Sequence, residues 1–518
     1  MTSTSATGST TSKGPTTANG LAVANGLVAG LLTVGLGTLL AALLEGIGGA
    51  GGQPAPVAAV SSAFIDRTPS WLKDVAIAAF GTNDKRALLI GVVVVLAVLC
   101  ALIGHLARTR LTAALVAFGL LGAVGVAAVL SRPEASWVDA TPTLVGVLVG
   151  LWFLRRGSSD ASALGADNPA RRVLLGAAVG GGAAYVGALL GGDSAAATAS
   201  RDAIAREPAR AARISIPAGA DLKVPGVAPF IVPNDDFYRI DTAIVVPRLN
   251  AEEWRLKVTG LVEREVELDW NTLQDKSMRE ALVTLACVSN EVGGDLIGNA
   301  VWTGWPVREL LALAGPLPGA DMVLQTSADG WTCGTPLGAL TDERNALLAV
   351  RMNGEPLPFE HGFPVRLVVP GLYGYVSACK WVTELKVTTF AEDVGYWTPR
   401  GWSAEGPIKT SSRIDVPRSG AAVRAGRVAV AGVAWAQHRG VARVEVQVDD
   451  GPWTDARLAA DASVDAWRQW VLEWDATPGS HTLRVRAHDQ DGTVQSAAER
   501  PPAPDGAEGL HTVTVRVD

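Results

Sequence analysis

The chain has 518 residues, a formal net charge of -7 and 18% charged residues. That length exceeds one ordinary core and argues for about three domains, and the mild acidity leaves no basic surface for a nucleic acid. Cys100, Cys287, Cys333 and Cys379 show no CxxC, CxxCH or zinc-type spacing, and of six scattered histidines only His105 falls in an apolar run. Zinc fingers, covalently attached haem and a bis-histidine b-type haem are thereby excluded.

Long uncharged apolar runs lie before Gly192, whereas charged residues concentrate after Arg201. Residues 1–20 are mostly Ser, Thr, Gly and Ala, a composition that cannot bury a core and is expected to be disordered. Residues 21–192 hold five candidate spans, Leu21–Ile47, Ala87–Ala107, Leu111–Leu130, Thr141–Leu154 and Val173–Leu190, against the roughly 20 residues that cross a hydrocarbon layer. The fourth needs Trp137 and Val138 to reach full length. Gly26 with Gly30, and Gly176 with Gly180, are spaced for close helix packing.

Arg108 and Arg110 follow the second span, Arg155 and Arg156 the fourth, and Arg171 and Arg172 precede the fifth. The positive-inside rule then places the N-terminus in the cytoplasm and everything after the fifth span outside, giving a multi-pass protein of the cell membrane with an extracytoplasmic C-terminal half. Lys73, Lys85 and Arg86 oppose this, in a loop long enough for an interfacial helix around Trp71–Phe80. Arg171 and Arg172, in DNPARRVLL, read either as topology charges or as a twin-arginine export signal.

Residues 193–220 are Ala-, Arg- and Pro-rich and read as a linker. Residues 221–415 mix short β segments, Trp254–Thr259, Pro364–Val369 and Val382–Thr388, with a helix at Val307–Ala314, which is an α+β pattern. Residues 416–518 alternate apolar and polar at Val444/Val446/Val448, Trp470/Leu472/Trp474, Leu483/Val485/Ala487 and Val513/Val515/Val517, with a hairpin turn at Asp450-Gly451. Strands so spaced predict an immunoglobulin-like β-sandwich.

Within 221–415 an apolar run, Leu282–Ala286, delivers Cys287 into a turn-rich stretch of Ser289, Asn290, Gly293, Gly294 and Asp295. By itself such a thiol is a small buried hydrophobe or a presented ligand. The order of Thr284–Asn290 (T-L-x-C-x-x-N), Trp302–Gly304, His361–Arg366 (HGFPVR), Pro370–Gly374 and Lys380-Trp381 resembles the molybdenum-cofactor domain of the sulfite oxidase family.

The resemblance implies a molybdenum-molybdopterin cofactor with Cys287 as the protein's metal ligand. It implies catalytic roles for Cys287, Arg239 and Trp331, and cofactor-binding roles for Asn234, Asn290, His361, Arg366, Ser377 and Lys380. In the family a sandwich placed like 416–518 forms a homodimer. The chain departs from the family's pattern in four places: Ile240-Asp241 stands for Asn-His, Glu291-Val292 for substrate-binding arginines, Trp331 for a tyrosine, and no arginine lies between Gly374 and Lys380.

The reading is therefore N-terminal transmembrane α-helices, an α+β sulfite-oxidase-like molybdopterin domain and a C-terminal immunoglobulin-like β-sandwich. Its expected activity is two-electron oxo transfer on a small-molecule substrate other than sulfite, with electrons exchanged with a separate partner or a quinone. An S-oxide or N-oxide reductase is an alternative, and a metal-free anchored interaction protein is another. Pairing of Cys333 with Cys379 stays open.

Overall fold

A computed structural model describes residues 15–47, 52–69, 72, 84–132, 135–158, 169–192, 195–207 and 210–518. The chain forms two units, Met1–Ser194 and Ala195–Asp518. The first contains helices α1 (Pro15–Gly46), α2 (Pro56–Arg67), α3 (Asp84–Leu106), α4 (Leu111–Leu130), α5 (Trp137–Ser158) and α6 (Pro169–Gly192). All but α2 are long and apolar enough to cross a membrane, as five stretches: Asn19–Gly46, Lys85–Leu106, Leu111–Leu130, Trp137–Gly157 and Pro169–Leu190. Because α1 starts at Pro15, the end of the stretch expected to be disordered is helical; residues 1–14 lie outside the described residues. So does the interfacial helix expected at Trp71–Phe80, apart from Leu72.

Small residues let these helices approach closely. A Cβ on Gly26 would meet the Cys100 carbonyl oxygen at 2.1 Å, and one on Gly180 the Leu31 backbone at 3.0 Å. Arg172 donates to the Arg156 carbonyl at 2.9 Å and to Asn25 Oδ1 at 3.4 Å, which ties the start of α6 to α1 and to the end of α5.

The second unit opens with α7 (Ala195–Arg206), followed by β1 (Ala211–Ala212), β2 (Arg255–Gly260), β3 (Val266–Asp269), β4 (Met278–Ala286) and β5 (Ile297–Pro306). Helix α8 (Val307–Ala314) leads to β6 (Met322–Ser327), β7 (Thr332–Pro336), β8 (Leu347–Met352), β9 (Glu355–Pro356), β10 (Arg366–Val368) and β11 (Val382–Thr388). One sheet runs β1-β4-β5-β8-β10 with β9 on β8, and a second runs β3-β2-β11-β6-β7. Helix α8 buries Val307, Leu310, Leu311 and Ala314 on one stripe and stops at Gly315, whose φ of 69° suits glycine.

The linker expected over 193–220 is corrected by this fold. Ala197 is fully buried, Arg201 donates to the Leu357 and Pro356 carbonyls at 2.9 and 3.2 Å, and β1 pairs in parallel with β4. Arg351 donates to the carbonyls of Ile204 and Glu207 at 2.8 and 2.6 Å, satisfying the end of α7. Composition alone hid this because the helix owes its place to partners some 150 residues away, as the separation of 156 between Arg201 and Leu357 shows.

The chain continues through β12 (Ser411–Val416), β13 (Ala422–Val423), β14 (Gly426–Trp435), β15 (Val441–Val448) and β16 (Trp453–Asp455). It ends with β17 (Arg457–Leu458), β18 (Arg468–Ala476), β19 (Gly479–Asp489) and β20 (Thr512–Val517). These make sheets β12-β14-β18-β17 and β13-β20-β19-β15-β16. Val430, Ala434 and Trp470 of one share a buried cluster with Val444, Val446, Leu483, Val485, Val513 and Val515 of the other. Since β12 pairs with β14, this part begins at Ser411 and not at the expected residue 416. It also completes β4: Thr284 N donates to the Asp465 carbonyl at 2.9 Å, Trp467 N to Thr284 Oγ1 at 2.7 Å, and Gln437 Nε2 to the Thr284 carbonyl at 3.2 Å.

Candidate functional site

Cys287 follows β4 directly, buried at 8% exposure and facing a cavity. Its loop is closed by its own hydrogen bonds: Cys287 N donates to the Leu296 carbonyl at 2.9 Å, Asn290 N to the Cys287 carbonyl at 3.1 Å, and Leu296 N to Asn290 Oδ1 at 2.8 Å. Arg413 braces the same loop through the Gly294 carbonyl at 2.7 Å. Burial pushes the Cys287 thiol up, with Ser289 opposing, so without a bound cation it is a neutral thiol.

The HGFPVR segment supplies two more cavity residues, His361 and Arg366. Gly362 makes the approach possible, with φ of 107°; a Cβ there would stand 3.2 Å from Lys380 Cα. His361 Nε2 donates to the Asn234 carbonyl at 3.2 Å, which leaves Nδ1 as an acceptor. Burial, then Arg366 and Lys380, push its pKa down to about 3, so the ring is neutral. Arg366 lies 5.0 Å above the Trp302 ring and donates to the carbonyls of His361 and Leu367. Burial lowers its pKa to about 10. Among the described residues no carboxylate lies within 4.0 Å of this guanidinium, although it is only 5% exposed.

Lys380 Nζ sits 2.6 Å from Asp241 Oδ2 and donates to the Glu360 carbonyl at 3.0 Å. Arg239 Nε reaches the same Asp241 oxygen at 2.9 Å. Trp381, next in the chain, holds a left-handed φ of 52°, uncommon for a residue with a side chain. Burial lowers the Lys380 pKa from 10.5 to about 8, with Asp241 opposing. The unfolded chain therefore holds this proton to higher pH than the folded one, and stability is depressed below about 8 and rises as pH climbs toward 10.5. Denaturant midpoints of cofactor-free protein should show this rise, and Lys380→Met should flatten it; an unchanged slope in the variant would locate the titration elsewhere.

Trp331 is held at the β6–β7 turn, its N–H donating to Asp329 Oδ1 at 3.1 Å and its carbonyl accepting from Ser327 N at 2.9 Å. The Asp329 carboxyl also lines the cavity, and burial raises its pKa. Trp397, Trp402 and Tyr375 extend the aromatic wall, with ring centroids 6.4 Å apart for Trp397–Trp402 and 5.9 Å for Tyr375–Trp402.

Five of the expected site residues, Cys287, Trp331, His361, Arg366 and Lys380, meet on this cavity. Arg239 joins them through Asp241, itself on the cavity but with its guanidinium 38% exposed. The other three side chains are engaged by the protein itself. Asn290 closes the cysteine loop, fully buried Ser377 donates to the carbonyls of Leu372 and Tyr373, and Asn234 donates to the Met352 carbonyl and to Glu355. Asp329, Trp397 and Trp402 were missed, and no local pattern marks them. Cys333 and Cys379 are free, buried thiols in side-chain contact with each other.

The family described as oxidoreductase molybdopterin binding domain matches residues 243–397. The chain is 30% identical over 315 residues to mitochondrial sulfite oxidase of Mus musculus, which covers 51% of this chain and 57% of the mouse protein. Against sulfite oxidase of Gallus gallus it is 30% identical over 323 residues, covering 52% of this chain and 69% of that protein. The chain thus spans little more than half the length of the mammalian relatives. A structure of the sulfane dehydrogenase SoxCD from Paracoccus pantotrophus aligns with a TM-score of 0.48 and 26% identity, over 56% of this chain and 82% of that one.

Proposed function

The chain belongs to the sulfite oxidase family of molybdopterin-dependent oxidoreductases, and from that premise we propose a membrane-anchored, extracytoplasmic enzyme that transfers an oxo group on a small neutral substrate and not on sulfite. The carrying observation is that, among the described residues, Arg366 and Lys380 are the basic side chains lining the cavity, while Trp331, Trp397, Trp402 and Tyr375 wall it. Both cations sit at the family's cofactor positions, which leaves no lining arginine or lysine for a dianion.

The donor set fits the family's cofactor. A buried thiol is a soft ligand, and the described residues contain no group of three His, Cys, Asp or Glu that could hold a metal alone, so further donors would come from the pterin's dithiolene. A buried guanidinium without a carboxylate suits a phosphate, which Arg grips bidentately and Lys meets as a point charge. When bound, the molybdenum centre supplies the two-electron redox step and the oxo transfer. Arg366, Lys380 and neutral His361 would hold and orient the cofactor, Cys287 would ligate the metal as thiolate, and the tryptophans would wall the cavity.

A second reading, reduction of an S-oxide or N-oxide, is favoured by Asp329. Its Oδ1 is taken by Trp331 N, and the raised pKa suits a proton held at Oδ2 for an oxygen leaving as water. The metal-free interaction protein is disfavoured by the cavity's unpaired buried guanidinium.

The apolar exposed faces of the long helices, such as Ile90, Leu102, Leu120 and Leu148, support the membrane anchor, and the arginine pairs support an extracytoplasmic catalytic half. Electrons pass to a separate partner or to quinone. Residues 416–518 are read as an immunoglobulin-like sandwich that pairs two copies. Metal analysis and steady-state kinetics test the proposal. We expect molybdenum in the purified protein and poor oxidation of sulfite with an artificial acceptor; turnover of a neutral sulfoxide or amine oxide with an artificial electron donor would select the second reading. Sulfite oxidation with an efficiency of about 10⁶ M⁻¹s⁻¹ or more, typical of an enzyme on its own substrate, would sink it.

A further inference from the structure

We infer that Asp241 is a specificity-determining residue: an internal counter-ion that pairs with Lys380 on the cavity and with Arg239 beside it, and closes the site to oxyanions. The inference rests on the proposed preference for a neutral substrate and assigns that preference to one carboxylate.

Asp241 Oδ2 lies 2.6 Å from Lys380 Nζ and 2.9 Å from Arg239 Nε, and Oδ1 lies 3.5 Å from Arg239 Nη2. Its side chain is 4% exposed, so these ion pairs are weakly screened. Lys380 and Arg239 come from segments 141 positions apart (380 − 239), and a single oxygen bridges them. An oxyanion approaching Lys380 would meet an ammonium already paired with a carboxylate that lines the same cavity. It must either displace Asp241, breaking both pairs, or bind beside it and accept like-charge repulsion. Rejection of one ligand class by a built-in repulsive charge is a recognised route to specificity, and like charges brought together in a poorly solvated site are strongly disfavoured. A neutral oxide meets neither obstacle, because it asks for no counter-ion and the aromatic wall offers it apolar contact. A carboxylate needed only to let Lys380 fold into the core would not have to face the cavity or engage Arg239 beside it.

The test uses holoenzyme and sulfate, an oxyanion that the enzyme does not turn over, with titration calorimetry as the readout. Asp241→Asn removes the charge with little change in shape and frees Arg239, the partner not assigned to the cofactor. Sulfate should bind at least about tenfold more tightly than to wild type, since one freed charge-assisted contact is worth that much or more. The gain should shrink as ionic strength rises. Asp241→Glu keeps the charge and should keep wild-type rejection. Molybdenum content is measured in each variant. Unchanged sulfate binding in molybdenum-replete Asp241→Asn would overturn the inference. Loss of molybdenum from that variant would overturn it too, because Asp241 would then serve the cofactor. If wild-type enzyme oxidises sulfite efficiently, the substrate reading fails by kinetics alone. If wild type rejects sulfite and Asp241→Asn still ignores sulfate, only the role of Asp241 fails.

Discussion

Cys287→Ser should lower turnover by more than about 100-fold while the protein stays folded and retains much of its pterin. Loss of an outer partner of a metal site typically costs 10- to 100-fold, and a direct ligand exceeds that. The sulfur-to-oxygen change replaces a soft donor by a hard one in a buried position. Strand β4 and the loop after it are fixed by backbone bonds and by Asn290, none of which involves the thiol. Arg366, Lys380 and His361 come from other segments, so the grip on the pterin survives. Turnover, molybdenum content and thermal unfolding of the purified variant check this. Near wild-type turnover would remove Cys287 from the ligand role.

Arg366→Met should separate cofactor retention from stability. The guanidinium is buried without a carboxylate among the described residues, so the cofactor-free chain bears a desolvation cost of several kcal/mol that methionine relieves. Against this stand its bonds to the His361 and Leu367 carbonyls, worth about 1.5–3 kcal/mol each for a charged donor, and its stacking on Trp302, worth about 1 kcal/mol. Stability of the cofactor-free protein should therefore hold within about 1 kcal/mol. Loss of a buried charge-assisted contact costs about 2–5 kcal/mol, so retention of the pterin should weaken roughly 30-fold to several thousand-fold. Molybdenum and phosphate content after dialysis, set beside denaturant midpoints, gives both numbers. A collapse of stability with cofactor retained would mean that Arg366 is a structural residue.

Local pattern was legible wherever the physics was local. Helix α8 was placed residue by residue because its apolar stripe is bounded by Pro306 and Gly315, and the alternating valines of β15 and β20 fixed their inward faces. Helix α7 was missed because alanines and arginines give no stripe, and its burial depends on Arg201 and Arg351 finding distant carbonyls. In the site, Cys287, His361, Arg366 and Lys380 were legible because each sits in a short motif. Asn290 sits in the same motif as Cys287, yet its side chain closes a backbone loop, as those of Asn234 and Ser377 also bond backbone carbonyls, a distinction that needs coordinates. The Asp241–Lys380 pair spans 139 positions, and Trp397 and Trp402 reach the cavity only through tertiary packing. Asp241 was noticed as a departure from a motif, but nothing in the sequence said which cations it would hold.

The bonds that finish β4 also impose an order of events on a chain made from its N-terminus. Trp467, which donates to Thr284 Oγ1, is synthesised 183 residues after its partner, and Gln437 follows Thr284 by 153. Until they emerge, the strand that presents Cys287 keeps an open edge at Thr284, and its loop lacks the brace from Arg413. The helical N-terminal unit can be complete while this cradle is still unfinished. The strand that presents the thiol therefore gains its last hydrogen bonds only after residues up to Trp467 have been made.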